Sequence, residues 1–125
     1  ADVEIQIEAP TVDINGAVDI SGQLILAPVT DTSNAEASNG NLTNNNFKIS
    51  HTLTLDGALA NGSGLAEFTV TSNKVLATSV VIGSSDKLDI AIREVVAGSF
   101  KVQGKNKTGG QLDDNSAVVI NYLIL

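Results

Sequence analysis

The residue best suited to proton chemistry is His51, the one histidine of the chain, because imidazole exchanges protons near neutral pH. It lies in FKISHTLTL, on the face shared by Phe47, Ile49, Leu53 and Leu55. A histidine among apolar neighbours is expected to be a hydrogen-bonded core or interface residue. Near a threefold axis, three imidazoles would meet, which would make assembly pH-sensitive or bind a metal. Oxygen-rich stretches occur at Asp31, Ser33, Asn34 and Glu36, and again at Asp113, Asp114 and Asn115. Neither has the spacing of a known calcium loop, and Asp86 and Asp89 say less, so the expectation is solvated loops with no metal and no cofactor. Nucleophilic catalysis finds neither a cysteine nor a G-x-S-x-G elbow. Paired carboxylates for glycoside hydrolysis would rest on strands bringing distant acids together, but sugar sites use aromatic platforms, and Tyr122 sits in an apolar run. No enzyme is expected. The sequons at Asn41, Asn61 and Asn106 are chance matches in a chain rich in Asn, Ser and Thr.

Composition narrows the partners. The 125 residues carry 14 acidic and 7 basic side chains, a net charge of −7, which repels nucleic acid and anionic membranes alike. No apolar run approaches the ~18 residues of a membrane span. The opening ADVEIQIEAP lacks the basic and apolar regions of a signal peptide. An initial Ala fits a cytoplasmically made chain whose Met has been trimmed, and equally a piece of a longer one. Hydrophobic residues make up 42% and are mostly Val, Ile, Leu and Ala. With no cysteine, stability rests on packing or on oligomerisation.

The elements that would hold these residues read as strands throughout. VEIQIE places Val3, Ile5 and Ile7 on one face, a half-buried strand ended by Pro10. A repeat of period six follows, VDINGA and VDISGQ with LILAPV as a partial third copy. It reads either as two hairpin strands of a sandwich or as a short collar wound from three chains, because so few rungs do not bury their apolar faces on one chain. Thr30 to Asn46 is a polar surface loop. The run Phe68–Ile82 reads as two long strands around a Ser72-Asn73 turn, the second apolar on both faces and therefore sandwiched or shared with a subunit. LDIAIREV, the strand opening at Phe100 and AVVINYLIL complete eight to ten strands and no helix. The last of these should be central or covered by a neighbouring subunit. The class is all-β: a jelly-roll-like β-sandwich over 24–125, preceded over 1–23 by an extended arm or short β-helical collar.

From about Leu65 to Leu125, the run FTVTSNKVLATSVVI, the GSFKVQ segment and the AVVINYLIL end resemble the trimeric β-sandwich modules of tailed-bacteriophage structural proteins. These modules are broadly similar to tumour-necrosis-factor-type trimers, and the repeat resembles the collars that precede them in fibres. The resemblance implies a homotrimeric capsid decoration, or cement, protein. It would be made in the host cytoplasm, sit on the capsid exterior of the virion and stabilise the major capsid protein lattice. Phe68, Val70, Val75, Ser79, Val81, Phe100, Tyr122 and His51 would then form sandwich and trimer contacts, and Val3, Ile5 and Ile7 would dock the arm on the capsid. The alternatives are a receptor-binding fibre head, with the loops 30–46 and 104–116 touching a glycan, a sugar-binding adhesin-like sandwich, or a non-viral scaffold.

Overall fold

A computed structural model describes residues 5–23, 29–32 and 40–125, the strand at 29–32 by its backbone alone. Its strands are β1 (Val29–Thr32), β2 (Leu42–Thr43), β3 (Lys48–Thr54), β4 (Phe68–Thr71), β5 (Val81–Ser84), β6 (Leu88–Val96), β7 (Ser99–Asn106) and β8 (Ala117–Ile124). No helix occurs among the described residues. The strands form two sheets, β1-β3-β8-β5 and β4-β7-β6, the second edged by the two-residue β2. The result is an all-β, sandwich-like fold.

Alternation explains where the core lies, since successive side chains of a strand point to opposite faces. Ile49, His51 and Leu53 of β3 and Val118, Ile120, Tyr122 and Ile124 of β8 are buried. They face Phe68 and Val70 of β4 and Phe100 and Val102 of β7, equally buried in the other sheet. Each such side chain withdrawn from water stabilises the fold by about 1.5–3 kcal/mol before the entropy of ordering is set against it. In β6 the parity changes at Glu94, whose φ of 48° marks a bulge between Arg93 and Val96. The bulge turns Val95 towards the core and leaves Glu94 in solvent.

Four sequence expectations give way here. Phe68–Ile82 is not a hairpin, because β4 and β5 belong to different sheets and 72–80 carries the chain between them. Ser72 donates its N–H to Gly98 O at 3.0 Å, and Gly98 returns one to Val75 O at 2.9 Å. The Ser79 hydroxyl accepts Leu76 N–H at 2.9 Å. These bonds fold the segment over the β6–β7 turn, and Leu76 and Val80 remain exposed.

The stretch 30–46 is not loop throughout, since β1 adds in parallel to β3 and β2 in parallel to β4. Asparagines do the fastening: Asn41 Oδ1 accepts Thr69 N–H, and Asn45 Oδ1 accepts Asn73 N–H, both at 2.9 Å. Finally, residues 5–8 form no strand. Ile5 is 82% and Ile7 65% exposed, for no described strand runs alongside to pair with them. Residues 12–22 are likewise exposed and outside any strand, which removes the hairpin reading of the repeat. Val3 and the third repeat copy at 24–28 lie outside the described residues.

Where β5 meets β6 the sheets close together, and Gly83 shows how tightly. A Cβ there would come within 2.8 Å of Ile90 Cγ2 and 3.1 Å of Ile92 Cδ1. Gly83→Ala is therefore expected to lower unfolding stability by about 1–3 kcal/mol in urea titration, although the new methyl adds apolar burial. An unchanged midpoint would mean that β5 stands further from β6.

Candidate functional site: the core cluster and the two outer faces

His51 and Tyr122 face each other from adjacent strands, with Nδ1 and the phenol oxygen 3.1 Å apart. Phe68 meets the imidazole edge-on at 5.7 Å between ring centroids, and Phe100 meets the Tyr122 ring at 5.4 Å. The four rings run from one sheet to the other, and such edge contacts add about 0.5–1.5 kcal/mol each beyond burial. Burial pushes the Tyr122 phenol far above its ordinary value of 10.0, so it stays protonated and is able to donate to Nδ1.

The residues expected to make sandwich and trimer contacts divide on this evidence. Phe68, Val70, Val75, Phe100, Tyr122 and His51 are covered by their own chain, four of them to 1% exposure or less. A subunit contact through them is not available, nor is a meeting of three His51 imidazoles on an axis. Ser79 and Val81 are half-buried at the β5 edge.

The oxygen clusters prove structural where they are described. Asp114 Oδ1 accepts Gly57 N–H at 2.6 Å, fixing the Asp56-Gly57 turn, and its other oxygen accepts from Asn115. The Asn106 sequon is buried, with its side-chain amide donating to Leu59 O and Gly110 O at 2.8 and 2.9 Å. Its Oδ1 accepts from the backbone and hydroxyl of Thr108. Asn106 therefore ties two loops together at one end of the sandwich, a role its sequence context did not signal. Ser33, Asn34 and Glu36 lie outside the described residues. Among the described residues no group of three or more His, Asp or Glu is placed to hold a metal.

The two outer faces differ in kind. The β4-β7-β6 face is ionic: Lys101 Nζ lies 2.7 Å from Glu94 Oε2 and 3.9 Å from Glu67 Oε1, and Arg93 bonds Glu67 at 3.4 Å. The hydrogen bond to Lys101 lowers the Glu94 carboxyl and raises the Lys101 ammonium. Exposed pairs of this kind add little stability but keep a sheet face wet.

The β3-β8-β5 face is mixed: apolar side chains gather where β5 meets the end of β8, and Asn121, in register with Ser84 and Ser50, separates them from Val119. Ile82 pairs in register with Leu123, and Val80 exchanges two backbone bonds with Leu125 at 3.1 and 2.9 Å. Val80, Ile82 and Leu125 are 59%, 51% and 65% exposed, with Val119 further along β8 at 42%. Thr52, opposite Val119, contributes a hydroxyl. The terminal strand is thus central, as its composition required, while its outer row is left uncovered. A depression on the same face is lined by Ser84, Ser85, Asp86, Lys87, Val119 and Asn121 among others.

The chain matches no family model, no curated protein and no solved structure.

The cluster makes an alkaline prediction. A phenol raised by burial favours the fold fully below pH 10 and loses that contribution as the pH climbs past it, because the unfolded chain ionises first. Stability should fall by one extra proton's slope above pH 10 relative to Tyr122→Phe. At neutral pH that variant should lose about 1–2 kcal/mol for the missing hydrogen bond. Parallel alkaline profiles in denaturant titrations would place the phenol in water.

Proposed function

We propose that this chain is a self-assembling structural module, a homotrimeric decoration protein of a phage capsid, acting by burial of surface and not by chemistry. The observation that carries the reading is the contrast between the faces: one sheet is ionic outside, and the other exposes Val80, Ile82, Val119 and Leu125 and leaves Leu123 half-buried. An apolar sheet face left in water invites association, and the occupant we assign to it is a second copy of this chain. Little charge on that face opposes like copies, with Lys48 near one end and Asp86 and Lys87 at the other.

The strand arrangement supports the jelly-roll class as well. β3-β8-β5 lies over β4-β7-β6, and among strands β3 to β8 every connection except β6–β7 crosses between sheets. Such crossing supports a jelly-roll reading with one strand pair fewer than the eight-stranded form. The phage assignment rests on the resemblance of the carboxyl-terminal half, and the loops at 55–65 and 104–116 would then face away from the shell. Mechanistically, each copy bound across a junction of capsid subunits adds its binding free energy to the closed shell, raising the cost of opening.

Sedimentation at micromolar concentration is expected to give three times the chain mass. Ile82→Lys combined with Val119→Lys should give a folded monomer, since burying two unpaired ammonium groups at an interface outweighs its apolar gain. A wild-type monomer, or a trimer indifferent to both lysines, would remove the face from the account. Many copies per purified particle, in multiples of three, are expected for decoration; a few would indicate a fibre head.

A further inference from the structure

The formal charge of the chain is not spread along it. Residues 1–36 contain Asp2, Glu4, Glu8, Asp13, Asp19, Asp31 and Glu36 and no Lys or Arg. Residues 37–125 hold the other 7 acids and all 7 bases, so the whole net charge of −7 belongs to the first 36 residues. The sandwich from residue 40 onwards is balanced, and its cations are largely engaged: Arg93, Lys101 and Lys107 pair with acids, Lys74 covers the Phe47 ring and Lys87 bonds a carbonyl.

A second observation falls on the same segment. Ile5, Ile7, Val12, Ile14, Val18 and Ile20 are 48–82% exposed, and residues 5–20 belong to no strand. They recur as pairs two residues apart, so in an extended chain both members of a pair point the same way. Between the members of the second and third pairs stand Asp13 and Asp19, on the opposite face.

We infer that residues 5–20 are a recognition segment for a cationic protein surface, one that offers an open sheet edge, shallow apolar pockets for the paired side chains, and Lys or Arg groups flanking them. This inference rests on the capsid reading and specifies the partner's chemistry. Charge complementarity selects the occupant. Another copy of the chain supplies no net positive charge and brings a second set of seven acids, so arms wound on one another repel. Nucleic acid and anionic lipid repel it too. A basic surface gains twice, from steered encounter and from burial of apolar pairs left 48–82% exposed.

The test uses the full-length protein and heads of the encoding phage purified without it. Glu8→Gln with Asp13→Asn and Asp19→Asn should weaken binding roughly tenfold at low salt and flatten its salt dependence. Ile14→Ser with Ile20→Ser should weaken it further while leaving the salt dependence in place. Thermal unfolding should be unchanged in both, because none of these side chains meets the sandwich. Wild-type protein that binds heads with an affinity neither variant alters would overturn this inference and leave the capsid role standing. Failure of the wild-type protein to bind heads would remove both. Amide protection over 5–20 in the free protein, before heads are added, would make the other copies the arm's partner and overturn it as well.

Discussion

Everything in the sandwich depends on covering the inner row of β8. Val118, Ile120, Tyr122 and Ile124 project from a strand paired with β3 over Ala117–Leu123 and with β5 over Asn121–Ile124. Water can be excluded from that row only by a second layer, and Phe68, Val70, Phe100 and Val102 provide it. Two polar groups drawn inside find partners there: the Tyr122 phenol meets His51, and the Asn106 amide meets two carbonyls. An imidazole in this position fixes how two strands sit and is shut off from solvent, which is why the most reactive side chain of the chain has no access to a substrate.

With the core sealed by a single chain, recognition is left to the exterior. The ionic face satisfies itself through Glu67, Arg93, Glu94 and Lys101. Two exterior features do not: the apolar row along β5 and β8, and the exposed pairs of the first 20 residues. They differ in electrostatic character, one lying in a balanced region and the other in a strongly acidic one. That difference separates a surface suited to like copies from one suited to an unlike partner. In the proposed assembly, stability and recognition would use different side chains, so surface substitutions would alter one without the other.

Much of the sandwich was legible because half-buried strands write their geometry into alternation. FKISHTLTL, LDIAIREV and AVVINYLIL supply β3, β6 and β8, and Ile49, His51, Leu53 and Leu55 are buried together as their alternation required, although Phe47 at the head of that run stays exposed. Alternation failed where hydroxyl side chains intervened. In 72–80 the pattern is that of a strand, but Ser72 and Ser79 engage nearby backbone, and local bonds of that kind compete with a ladder. It failed in the opposite sense at 42–43, where two residues form an edge strand too short to show a period and the fastening comes from asparagine carbonyls. The arm misled for a third reason. A strand pattern describes what a segment is able to pair with, and among the described residues no strand lies beside it. The core residues assigned to trimer contacts were legible as buried, but sequence alone does not distinguish cover by the same chain from cover by another.

The pairing order also governs how the molecule can be made. Among the described strands only β6 and β7 are neighbours both in the chain and in a sheet, while His51 and Tyr122 come together from 71 residues apart. A newly synthesised chain can close one hairpin within microseconds, but it must then search for distant partners at a high entropic cost, which places its folding among the slower small β domains. Until β8 arrives, β3 and β5 both have bare edges and the apolar layer of the opposite sheet is uncovered. Nascent copies crowded together would therefore tend to aggregate in this interval, and slow expression at low temperature should raise the yield of soluble material.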